Sequence, residues 1–102
     1  MSTLHTVNKS PFATSTLLSC LKHCRSGDAI LLIEDGVYGA IAGSAIADEV
    51  EACTQEVALF VLAGDLQARG IDTGKIASNV KAVGYDGFVD LVTNHDRTQS
   101  WL

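Results

Sequence analysis

Two stretches of the chain are unbroken apolar runs, Ala29-Ile30-Leu31-Leu32-Ile33 and Val57-Ala58-Leu59-Phe60-Val61-Leu62. A strand with one wet face alternates, so runs of this kind predict strands buried on both faces. The first run lies inside the stretch from Gly27 to Gly39, preceded by Gly27-Asp28 and followed by Glu34-Asp35-Gly36. It is expected at the centre of a small sheet. Ligands and partners of such sheets meet the loops at the carboxyl ends of the strands, which puts Glu34 to Gly39 where function is expected.

Weaker patterns fill the intervals. Leu4 to Val7 predicts a short first strand of mixed alternating character, broken by the turn-rich Asn8-Lys9-Ser10-Pro11-Phe12. Leu17, Leu18 and Leu21 recur at helical spacing within Ala13 to Cys24, which predicts a helix stopped by Gly27. Gly39 to Ala47 is made almost wholly of small residues and reads as a tightly packed helix or as a loop against a partner, ended by the acids of Glu49-Val50-Glu51. Asp65 to Arg69 predicts a short helix, Gly70 to Lys75 a connector, and Val80 to Val83 a short strand. A last helix opens at Tyr85-Asp86-Gly87 with Phe88, Val89, Leu91 and Val92 as its apolar face, and Thr98 to Leu102 is expected as an edge strand. Alternating strands and helices over residues 1–102 predict a single α/β domain, a parallel sheet with helices on both faces.

Composition sharpens this picture. Charged residues make up 19% of the chain, against about 25% in an average soluble domain. A small domain has the most surface to cover, so the deficit predicts that part of the exterior meets another subunit. The net charge of -5 and the absence of any basic run argue against direct nucleic-acid binding, which needs clustered cations. The first residues lack the layout of a signal peptide, and no apolar run approaches the roughly 20 residues of a membrane span, so a cytoplasmic protein off the membrane is expected. Three cysteines argue against a disulfide framework and leave thiol chemistry or packing.

Cys20, His23 and Cys24 fall on one helical face. Zinc wants four ligands and Cys53 lies far along the chain without a companion histidine, so no metal is expected; nothing resembles a phosphate loop or a Rossmann glycine fingerprint, so no cofactor is expected either. A reactive thiol must be exposed and held near positive charge. Lys22, His23 and Arg25 flank Cys20, which makes it the best candidate; Cys53, among Glu49, Glu51 and Glu56, is the worst. Packing is the competing reading of Cys20 and Cys24, since they also lie beside Leu17 and Leu21. Glu34-Asp35 reads first as turn chemistry rather than an acid/base pair, and His5 and His95 are isolated in sequence.

With those residues in view, the chain resembles the DsrH/TusB family of sulfur-relay proteins. The resemblance rests on Leu4-His5-Thr6-Val7-Asn8-Lys9-Ser10-Pro11-Phe12, on Gly27 to Tyr38, on Asp65-Leu66-Gln67-Ala68-Arg69-Gly70, and on Tyr85 to Val92 followed by His95 and Gln99-Ser100-Trp101. It implies a flavodoxin-like (DsrE-like) α/β subunit of a cytoplasmic sulfurtransferase, a heterohexamer with DsrE-like and DsrF-like subunits that passes persulfide sulfur to or from a DsrC/TusE-type carrier. The main transfer thiol is then expected on the DsrE-like partner. DsrH-type members carry a first-helix cysteine that matches Cys20, whereas TusB-type members can lack it. Cys20 is therefore the expected catalytic residue, and intracellular sulfur oxidation the expected process. A subunit without chemistry of its own, or one serving thiolation of the tRNA wobble uridine, stands as the alternative. Cys24 and Cys53 receive no role.

Overall fold

The computed structural model describes residues 2–102. Five strands, β1 (Thr3–Val7), β2 (Ala29–Leu32), β3 (Ala58–Leu62), β4 (Val80–Val83) and β5 (Arg97–Trp101), form one sheet in the order β4-β3-β2-β1-β5. Every neighbouring pair is parallel. The unbroken run Ala29–Leu32 is the middle strand and is buried throughout, as its lack of alternation predicts.

Topology decides which face each helix covers. The steps from β1 to β2, β3 and β4 all move the same way across the sheet, so right-handed crossovers put α1 (Thr16–His23), α2 (Ala47–Cys53) and α3 (Ala63–Ala68) on one face. The step from β4 to β5 moves back the other way and puts α4 (Tyr85–Asn94) on the opposite face. The packing follows this division. Leu17, Cys20, Val50 and Leu66 join Val7, Ile30, Leu32 and Val61 in the large core. Phe88 and Leu91 of α4 cover a smaller one built on Leu4, Ala29 and Leu31. The two-sided α/β sheet expected from the sequence is the observed architecture.

Several local expectations are corrected. The first helix ends at His23 because Cys24 turns to an extended conformation, and Gly27, at φ +92°, serves the turn into β2 rather than the helix stop. Gly39 and Ala40 close a 3-10 helix, and Ile41 to Ile46 is neither helix nor strand, apart from an antiparallel bridge between Ile41 and Ile76. The acids Glu49 and Glu51 do not end a helix there; they lie inside α2. Glu34 to Ala40 winds as a 3-10 helix whose Gly36, Val37, Gly39 and Ala40 are buried within this chain. Glu34 itself sits at φ +50°, a left-handed conformation uncommon outside glycine, with its N–H donated to Asp65 Oδ2 at 2.6 Å.

Asp35 does the plain work of a surface carboxylate. Its Oδ1 accepts from Arg69 Nε at 2.9 Å, and its side chain is 62% exposed. Exposed pairs gain little after solvent screening and side-chain entropy, so Asp35→Ala is expected to change stability by no more than about 1 kcal/mol in urea titration.

Candidate functional site

The candidate chemistry gathers at the amino ends of the strands, the end opposite to the loops that usually carry ligands in such sheets. Helix α1 runs back from the end of β1 toward the start of β2, so its last turn and Cys24 lie over that end. Cys20 faces inward with no exposed surface, and Cys24, half-buried just beyond the helix, places its Sγ 3.8 Å from that of Cys20.

Beneath them, His5 of β1 is 2% exposed. Its Nε2 lies 2.9 Å from Asp28 Oδ2, and its Nδ1 lies 3.0 Å from the indole nitrogen of Trp101. An indole N–H only donates, so Nδ1 is the acceptor and Nε2 carries the proton given to Asp28. Asp28 accepts two further bonds, from the backbone N–H of Thr3 at 3.0 Å and of Arg25 at 3.1 Å. Burial alone pushes this carboxyl up, but the His5 bond and the two backbone donors outweigh it and hold Asp28 below the usual carboxylate range. The same acid ties the start of β1, the end of α1 and the start of β2 together.

Cys20 and Cys53 are far from activated. The hydrogen bond to Cys24 is the largest of the effects that push Cys20 far above the ordinary thiol range, followed by burial and by the charges of Cys24, Cys53 and Asp28. Lys22, His23 and Arg25, expected to supply a positive field, are exposed and are not among the charges that act on Cys20. Cys53 is also raised, by burial first and then by Cys24 and Glu56, and its Sγ lies 3.9 Å from the Leu21 carbonyl. The acid-rich surroundings foreseen from the sequence contribute only through Glu56.

The grouping of Cys20 and Cys24 is as the helical spacing predicts, but His23 is not their companion. It stands edge-on to Trp101, with ring centroids 5.6 Å apart. The histidine that joins the thiols is His5, and one ligand atom from each of His5, Cys20 and Cys24 lies within 4.8 Å of the others. Sequence reasoning passed over His5, Asp28 and Trp101. One signal was present: an aspartate at the threshold of a fully apolar strand needs buried partners. A polar cavity of about 370 Å³ opens beside this cluster, lined by Thr3, His5, His23, Arg25, Asp28 and Arg97 among others.

At the carboxyl end, an open groove of about 440 Å³ lies between Pro11–Ser15 and Ile46, and Glu49 is the one carboxylate in its lining. The outer side of α4 is apolar and uncovered: Tyr85, Val89 and Val92 are 74%, 45% and 41% exposed. No helix among the described residues is long and apolar enough to cross a membrane.

Comparison with known proteins adds the lineage. Residues 9–98 match the family described as DsrH like protein. A protein named TusB from Pectobacterium parmentieri is 38% identical over 98 residues, covering 96% of this chain and 99% of its own. Proteins of the same name from Serratia proteamaculans and Escherichia coli O81 are 35% and 32% identical over the same length. Among solved structures, the ychN protein from E. coli superposes with a TM-score of 0.81 at 16% identity, over 98% of this chain and 99% of that one. A protein of unknown function from Methanobacterium thermoautotrophicum, MTH1491, gives 0.77 at 17% identity, over 97% and 96%. The structural likenesses speak for the fold alone.

Proposed function

The chain belongs to the DsrH-like protein family, and from that premise we propose that it is a docking subunit of a sulfur-relay complex, with the reacting thiol on another chain. The observation that carries this reading is the state of Cys20. A relay thiolate attacks the terminal sulfur of a donor persulfide, so it must be reachable and ionised. Cys20 has no exposed surface and a thiol held strongly protonated. What the chain does offer outward is the apolar side of α4, which among the described residues is the one helix on its face of the sheet. A related α/β subunit of the DsrE-like or DsrF-like kind is the partner that fits the low charge fraction and that uncovered face, with a DsrC/TusE-type carrier exchanging sulfur with the assembly.

The relatives named TusB support the branch that supplies sulfur for thiolation of the tRNA wobble uridine. A second reading, relay through Cys20 in a DsrEFH-type complex of sulfur oxidation, is favoured by one specific feature, the first-helix cysteine itself.

The test is a complex reconstituted with its partner subunits and offered a persulfide donor. Cys20→Ser is expected to leave the rate of sulfur delivery to the carrier unchanged, while Val89→Asp on α4 is expected to reduce assembly on gel filtration. Abolished delivery by an assembled Cys20→Ser complex would establish the second reading instead. Wobble-uridine thiolation restored in a strain lacking its TusB would assign the branch.

A further inference from the structure

The sequence places two cysteines four residues apart with a histidine between them, and a metal reading fails there for want of ligands. The fold replaces that histidine with another. We propose that His5, Cys20 and Cys24 form a buried site for a divalent zinc-like cation, with two thiolates and one imidazole as protein ligands.

Three observations carry this. Two thiolates bound to one tetrahedral zinc at about 2.3 Å sit about 3.8 Å apart, and the Cys20 and Cys24 sulfurs are 3.8 Å apart. All three ligand atoms lie within 4.8 Å of one another. The imidazole is also held as a ligand histidine is held: Nε2–H donates to the buried Asp28 carboxylate at 2.9 Å, which fixes the ring and leaves the Nδ1 lone pair for the cation. That lone pair now accepts the Trp101 N–H, so the cation takes the place of the indole. Water is the fourth ligand of the proposal, and the polar cavity nearby is lined by His5 though by neither cysteine. The donor set of two cysteines, one histidine and water is that of an open zinc site, and two thiolates balance a divalent charge in a buried place. On binding, two sulfur–zinc bonds form and two thiol protons leave to solvent.

The site goes beyond the docking role and does not depend on it. It is tested on the reduced full-length protein, kept under a thiol-free reductant, by titrating Zn²⁺ in competition with a coloured chelator and Co²⁺ as a spectroscopic probe. One equivalent should bind, with thiolate-to-cobalt charge-transfer absorption and a change in the fluorescence of Trp101, the single tryptophan of the chain. Cys24→Ser, at a half-buried position, should fold with the same circular dichroism and lose the charge-transfer band or halve it. Cys20→Ser and His5→Gln should each weaken binding at least about tenfold, whereas His23→Ala should leave it intact. No binding in the reduced protein, binding that survives both cysteine variants, or loss of binding in His23→Ala would each overturn the site.

Discussion

Asp28→Ala is expected to lower stability by about 3 kcal/mol, since three donors lose one acceptor and two of the three lie deep in the fold. The donors are the Thr3 and Arg25 N–H groups and His5 Nε2–H. For a domain of this size such a loss corresponds to a fall in melting temperature of roughly 12–24 °C. Asp28→Asn, which keeps one acceptor oxygen and loses the charge, should cost less. The wild type carries the same signature in acid. Because the folded carboxyl lies below its ordinary value, its contribution is complete above the unfolded pKa of about 3.9 and is lost as pH falls through the folded one. Urea midpoints between pH 6 and pH 2.5 should therefore drop more steeply for the wild type than for Asp28→Asn. Equal slopes would show that Asp28 is not the acid-sensitive tie.

The second large effect lies at the other end of β2. Gly36→Ala is expected to cost about 2–3 kcal/mol by overpacking. A Cβ built on Gly36 overlaps the carbonyl of Val7, a backbone atom that cannot rotate away. That carbonyl also accepts the Ile33 N–H at 3.0 Å, so relief of the clash breaks the bond that joins the end of β1 to the chain leaving β2. Gly64→Ala supplies the contrast. Gly64 sits in α3 with nothing within 4 Å of its would-be Cβ and with no positive φ, and alanine there should stabilise by about 0.5–1 kcal/mol. Equilibrium unfolding of the two variants should thus move in opposite directions from one chemical change. A Gly36→Ala protein as stable as the wild type would mean that the 3-10 turn shifts freely.

What the sequence made legible follows from how each element earns its place. Ala29–Leu32 announces itself because sheet burial from both sides demands continuous apolar residues. The run in Ala58–Leu62 marks a strand too, but not one buried on both faces: only Leu59 and Val61 are buried and Ala58 is exposed. Helix α2 does not announce itself, because only Val50 of its seven residues is buried and one residue makes no period. The helix α4 is legible but its inner face only in part: of Phe88, Val89, Leu91 and Val92, read as one apolar face, the sheet takes up Phe88 and Leu91, and Val89 and Val92 remain outside. At the site, Cys20 and Cys24 are legible as neighbours because helical spacing is local. His5 and Trp101 are not. Their contact spans 96 positions and exists only because β5 lies beside β1.

That last pairing also orders events in time. The first strand meets the second after some 25 residues of separation, Leu4 against Ala29, but its other edge waits for Arg97–Trp101. Closing so long a loop is the slow, entropically costly step of assembling such a sheet. A chain emerging from the ribosome therefore holds one flank of β1 open until residue 101 is free, and His5 stays without its indole partner for that interval. Trp101 emission in stopped-flow refolding should accordingly report the final phase, after the far-ultraviolet signal of the helices has largely returned.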